Sequence, residues 1–128
     1  MTRYLIGADL AIYSMGGAAD STLNGRLASL YPGDVAISAV SFGELALGSW
    51  NGKPPRQDVL DAFVRVIPIV PFDEAAARIY PQLPFKHARL DRLLAAHALS
   101  LDATIVTNNK ADFADVPGLR VENWTLSE

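Results

Sequence analysis

The chain has 128 residues, half of them hydrophobic and a fifth charged, with a formal net charge of −3. That suffices for one globular domain with a sizeable core. It disfavours nucleic-acid binding by bulk charge, although a local basic patch could still grip phosphates. There is no cysteine, which excludes disulfides and thiolate metal sites and suits a reducing cytoplasm. No apolar run approaches the roughly 20 residues that span a bilayer, and the N-terminus lacks the long apolar core of a signal peptide.

In chain order, Tyr4-Leu5-Ile6 predicts a first strand, and an apolar helix follows within a few residues of Asp9. Leu23, Leu27 and Leu30 fall on one face of a helix over 19–30. Residues 35–38 predict a second strand. A helix over 40–50 is ended by Asn51-Gly52-Lys53-Pro54-Pro55. Another, over 57–66, places Leu60, Phe63 and Val64 together. Residues 67–70 predict a third strand, near an edge because Pro68 cannot donate to a ladder. Asp73 is placed to cap the next helix. The strongest helix covers 90–101, with Leu90, Leu93, Leu94, His97, Ala98 and Leu101 repeating at three and four. Residues 104–107 predict a fourth strand, and 119–122 a weaker fifth. The alternation predicts an α/β fold with a mainly parallel sheet. With no repeat, low-complexity tract or linker, one domain over 1–128 is expected.

In such sheets, ligand chemistry gathers beyond the carboxyl ends of the strands. Asp9 follows strand one. Glu44 lies in the first turn of the helix after strand two. Asp91 opens the helix before strand four, and Asp112 comes shortly after that strand. Clustered carboxylates repel one another unless a divalent cation is bound. Mg²⁺ chooses oxygen ligands, and such a site can activate water against a phosphodiester. Each acid also has a purely structural reading. Ser41 and Glu44 fit a capping box, Asp91 complements a helix dipole, Asp9 fits an N-cap, and Asp112 fits a solvated loop. Lys86, Arg89 and Arg92 surround Asp91, either as a phosphate clamp or as a solvated helix start. His97, among apolar neighbours, reads as a packed and hydrogen-bonded core residue rather than a general base. Trp50 and Trp124 read as packing or interface residues.

Together these segments resemble the bacterial PIN-domain toxins of the VapC group, the ribonuclease half of type II toxin–antitoxin pairs. The resemblance runs nearly end to end. It rests on Asp34-Val35-Ala36-Ile37-Ser38 leading to Gly43-Glu44-Leu45, on Asp91-Arg92-Leu93-Leu94-Ala95-Ala96-His97-Ala98, on Thr107-Asn108-Asn109 with Asp112-Phe113, and on 117–124. It implies a three-layer α/β/α sandwich with a sheet of four to five strands. It also implies a ring of acids holding Mg²⁺ or Mn²⁺, with Glu44 and Asp91 as ligands and Asp112 nearby. Asn109 and the three cations would contact substrate. The expected activity is metal-dependent hydrolysis of RNA in the bacterial cytoplasm. The expected partners are a VapB-type antitoxin and a second copy of the chain, with no membrane.

One departure concerns chemistry. The family's first aspartate, usually within Asp-Thr-Asn, aligns with Gly7 of Gly7-Ala8-Asp9. Glycine has no side-chain oxygen. Asp9 would lie roughly 6 to 7 Å further along an extended segment, and in a helical turn it would point elsewhere. It is therefore not expected to replace the lost ligand fully, and the chain is expected to be an attenuated enzyme. Alternatives are an impaired binding module for antitoxin or RNA, and a different metal-dependent phosphodiesterase or phosphatase. A second departure is the short link between Tyr80 and Asp91, which alters the groove wall.

Overall fold

The computed structural model describes residues 2–17, 21–84 and 89–126; the side chain of Arg89 also lies outside them. Five strands form one all-parallel sheet in the order β3-β2-β1-β4-β5. They are β1 (Tyr4–Ile6), β2 (Val35–Ser38), β3 (Ile69–Val70), β4 (Thr104–Val106) and β5 (Val121–Glu122). Pro68 precedes β3, which lies at the edge as its missing N–H requires. β1, β2 and β4 are nearly continuous apolar runs because both their faces are covered.

Alternation along these strands separates two cores. Leu5, Ala36 and Ile105 pack with Ala95, Ala98 and Phe113 on one face. Ile6, Ile37 and Val106 pack with Leu10, Leu23, Leu45, Leu60 and Trp124 on the other. The second face is covered by α1 (Ala8–Gly16), α2 (Thr22–Ala28), α3 (Ala39–Trp50) and α4 (Gln57–Val66). The first is covered by α5 (Glu74–Ile79) and α6 (Arg89–Leu101). The result is the expected three-layer sandwich.

Helix starts follow local chemistry. Asp73 caps α5 by accepting from the Ala76 N–H at 3.1 Å, as its position in the sequence predicts. At α3 the expectation changes. Ser38 is the cap and accepts from Val40 N–H at 3.1 Å. Ser41 is therefore inside the helix and fully buried, and the Ser41–Glu44 capping box does not form. Glu44 sits beyond the first turn of α3, not within it. Likewise Gly7, not Asp9, is the N-cap of α1, and Asp9 lies in its first turn. Helix α3 ends at the expected signal, where Gly52 adopts φ +77°.

Candidate metal-binding active site

The sheet order places β1 between β2 and β4. The chain winds outward from β1 to β3, then returns to β4 on the other side of β1. That reversal is a topological switch point, where loops diverge and leave a crevice at the carboxyl edge. Helices α1 and α3 start directly after β1 and β2. Helix α6 leads back into β4, so its start also faces this edge. Asp112 lies in a 3₁₀ turn (Lys110–Phe113) after β4. Four acids from four connections thus converge.

Their electrostatics show the convergence. Glu44 is an exposed residue, yet the partial burial of its carboxyl pushes its pKa up, and the charges of Asp91 and then Asp9 push it further. Burial is also the largest influence raising Asp91. Asp112 and Asp9 raise it too, while Arg92 opposes them. Neighbouring carboxylates are thus close enough to oppose the ionisation of Glu44 and of Asp91.

Asp9 holds the most defined position. Its Oδ2 accepts from Thr107 Oγ1 at 2.7 Å and from the Asn108 N–H at 2.9 Å, with Asn109 Nδ2 at 3.5 Å. Thr107 Oγ1 in turn accepts from the Asn109 N–H at 3.1 Å. The Thr-Asn-Asn segment after β4 is therefore tied across the switch point to the start of α1. The other oxygen, Oδ1, lies 2.6 Å from where a Cβ at position 7 would stand. This corrects the expectation that Asp9 in a helical turn points away from position 7. Side chains in a helix lean toward its N-terminus, and with glycine at 7 no side chain obstructs that lean.

The donor set is entirely oxygen and crowded with negative charge, which fits a hard divalent cation such as Mg²⁺ or Mn²⁺. The space above Gly7, filled by a carboxylate oxygen rather than by carbon, fits the same group. Among the described residues, no three acidic or imidazole side chains are gathered tightly enough to enclose an ion by themselves. Mg²⁺ does not require that, since it keeps several waters and takes one or two carboxylates.

The expected phosphate clamp fares differently. Arg92 is 2% exposed. Its guanidinium donates to Asp115 Oδ1 at 2.9 Å and to the backbone carbonyl of Asp112. Its role as a phosphate contact is therefore corrected: it braces the Asp112 turn against α6. The Asp91-Arg92 sequence could not reveal this, because the partner Asp115 lies 23 residues away. Lys86 and the side chain of Arg89 lie outside the described residues. Asn109 is exposed beside Asp9.

His97 is a core residue as expected, 1% exposed and edge-on to Phe72. Its Nδ1 lies 2.7 Å from Ser38 Oγ, and its ring also bonds the Pro71 backbone. Burial lowers the His97 pKa, against a smaller upward pull from Asp73. The bond ties the cap of α3, which carries Glu44, to α6, which carries Asp91. Ser38, Thr107 and Asp115 were missed in the sequence. Ser38 and Thr107 lie within the segments that carry the family resemblance; Asp115 lies in none of them.

Fold and site together define a PIN-like α/β protein with an acidic carboxyl edge. The PIN domain family model matches residues 11–119. The tRNA(fMet)-specific endonuclease VapC of Shigella flexneri is 30% identical, covering 98% of this chain and 100% of that protein. Ribonuclease VapC2 of Rickettsia felis is 28% identical, covering 94% and 97%. The structure of VapBC2 from Rickettsia felis bound to a promoter DNA fragment superposes with a TM-score of 0.80 at 26% identity, covering 96% and 99%. DNA-bound VapBC from Salmonella typhimurium shares the fold, with a TM-score of 0.84 at 24% identity and coverage of 97% and 99%. The chain belongs to the PIN domain family, and within it to the VapC group.

Proposed function

We propose that this chain is the ribonuclease toxin of a toxin–antitoxin pair and hydrolyses RNA phosphodiesters with Mg²⁺ or Mn²⁺. The observation that carries the reading is the placement of Asp9, Glu44, Asp91 and Asp112 at the switch point, near enough that Asp91 and Asp9 act on Glu44 and that Asp112 and Asp9 act on Asp91. The nuclease names of the full-length relatives support the reaction class. A bound divalent ion supplies water activation and charge neutralisation at the phosphate. Asp91 and Glu44 would hold it, with Asp112 nearby. Arg92 fixes the turn that presents Asp112, and His97 with Ser38 registers the helices presenting the other two. Lys86, Arg89 and Asn109 would position the RNA backbone.

Glycine at position 7 removes the family's first carboxylate, so cleavage proceeds below the rate that an aspartate there would support. The extreme of this attenuation is a chain that binds antitoxin or RNA without cutting. The VapBC2 assembly among the structural neighbours supports an antitoxin partner; the bacterial cytoplasm is the location that goes with this reading. Leu47 and Trp50, three residues apart on α3 and well exposed, offer apolar contact for it or for a second copy of the chain.

The test is turnover on RNA, DNA and a phosphomonoester, with Mg²⁺, Mn²⁺ or EDTA. Cleavage confined to RNA, abolished by EDTA and reduced at least ~100-fold by Asp91→Asn, is expected. Equal turnover on DNA or phosphomonoesters would replace the ribonuclease reading with another phosphoesterase. Metal-independent cleavage would overturn the metal role.

A further inference from the structure

Resting on the metal-dependent reading above, we infer that the carboxylate lost from position 7 is supplied from position 9: Asp9 Oδ1 acts as the stand-in metal ligand. Three observations lead there. The first is distance. In an aspartate, one C–C bond and one C–O bond at a trigonal carbon put each oxygen about 2.4 Å from its own Cβ. Asp9 Oδ1 lies 2.6 Å from the Cβ position of residue 7. It therefore stands about as far from that carbon as the oxygen of an aspartate at 7 would.

The second is the division of labour between the two oxygens. Oδ2 takes the hydrogen bonds from Thr107 and Asn108. The carboxylate is held from one side by the loop after β4, and Oδ1 is presented over Gly7. An oxygen oriented by a neighbouring donor is how metal sites fix their ligands.

The third is the backbone. Gly7 has φ −70° and ψ 158°, extended geometry open to any residue. Nothing in the chain path demands glycine. What an added Cβ would meet first is the flexible end of Asp9. The glycine and the folded-back aspartate are thus one arrangement: a side chain at 7 and Asp9 Oδ1 in its present place exclude each other.

The swap is testable because asparagine at 9 keeps an amide oxygen for Thr107 and Asn108 while removing the charge. Mn²⁺ binding is measured by calorimetry on the wild-type chain, Asp9→Asn and the double variant Gly7→Asp/Asp9→Asn. Thermal unfolding without metal confirms that all three fold alike. Asp9→Asn is expected to weaken Mn²⁺ by ~10-fold or more, in the range that ligand-orienting changes already reach. The double variant, with its carboxylate back at the strand end, is expected to recover wild-type affinity or exceed it.

Unchanged Mn²⁺ affinity in Asp9→Asn would overturn the inference. So would a folded double variant that fails to recover while the wild type binds, since Asp9 would then be an anchor for the loop. Binding by the double variant but not by the wild type would also overturn it, leaving the family's metal site intact and the native chain simply impaired. Failure of all three to bind Mn²⁺ would instead sink the metal-dependent reading itself.

Discussion

Two side chains in the helix over 89–101 show how neighbours in sequence part company in space. Asp91 is half-buried at the acidic edge, whereas Arg92 turns inward and is almost fully enclosed. A guanidinium in that position needs partners, and Asp115 and the Asp112 carbonyl take its two terminal nitrogens, while Nε has none among the described residues. Arg92→Met is therefore expected to cost roughly 3–5 kcal/mol in urea unfolding. The salt dependence of RNA binding by the folded fraction should stay as it is. Loss of a true phosphate contact would reduce that slope by about one, and such a change would restore Arg92 to the substrate side.

At the scale of elements, the Ser38 hydroxyl does two jobs. It ends β2 with a capped α3, and it sets α3 against α6. His97 is held neutral because burial lowers its pKa from the ordinary value of 6.5. The unfolded chain takes up the proton first as pH falls. The stability that His97 contributes is therefore fully present above about 6.5. It is lost as pH drops from there toward the lowered folded value. Urea titrations between pH 7.5 and 5 should show this decline in the wild type and a flatter profile in His97→Gln. Identical profiles would mean that the imidazole is solvated. Helix existence was legible here from apolar spacing and turn residues, as at Gln57–Val66, where both ends match. The cap of α3 was not: Ser38 and Ser41 are both serines before apolar positions. Only the path of β2 into the helix selects the first.

Across the whole molecule, the sheet divides two cores, and the tryptophans divide with them. Trp124 is 1% exposed, edge-on to Tyr4 at 4.8 Å and beneath the Arg26 guanidinium. Trp50 is 88% exposed. Trp124→Ala is expected to lower stability by ~3–5 kcal/mol, while Trp50→Ala stays within about 0.5 kcal/mol, both read from chemical denaturation. Similar costs for the two would contradict this division. The sequence treats both as aromatic residues near element ends. Only the position of the segment after β5, folded back across the second face, buries one of them.

The sequence by itself determined the elements, the parallel α/β class, the edge position of β3 and the four acids at the carboxyl ends of the sheet. These follow from local rules: side-chain period, turn chemistry and the direction in which strands end. Tertiary structure alone decided which side chains meet. It turned Arg92 inward to Asp115, joined His97 to Ser38 across 59 residues, and tied Asp9 to Thr107 across 98. It also laid a carboxylate oxygen of Asp9 over Gly7. The physical reason is that such contacts depend on how strands far apart in the chain are ordered and how helices lean against them, and no local pattern of residues encodes that order.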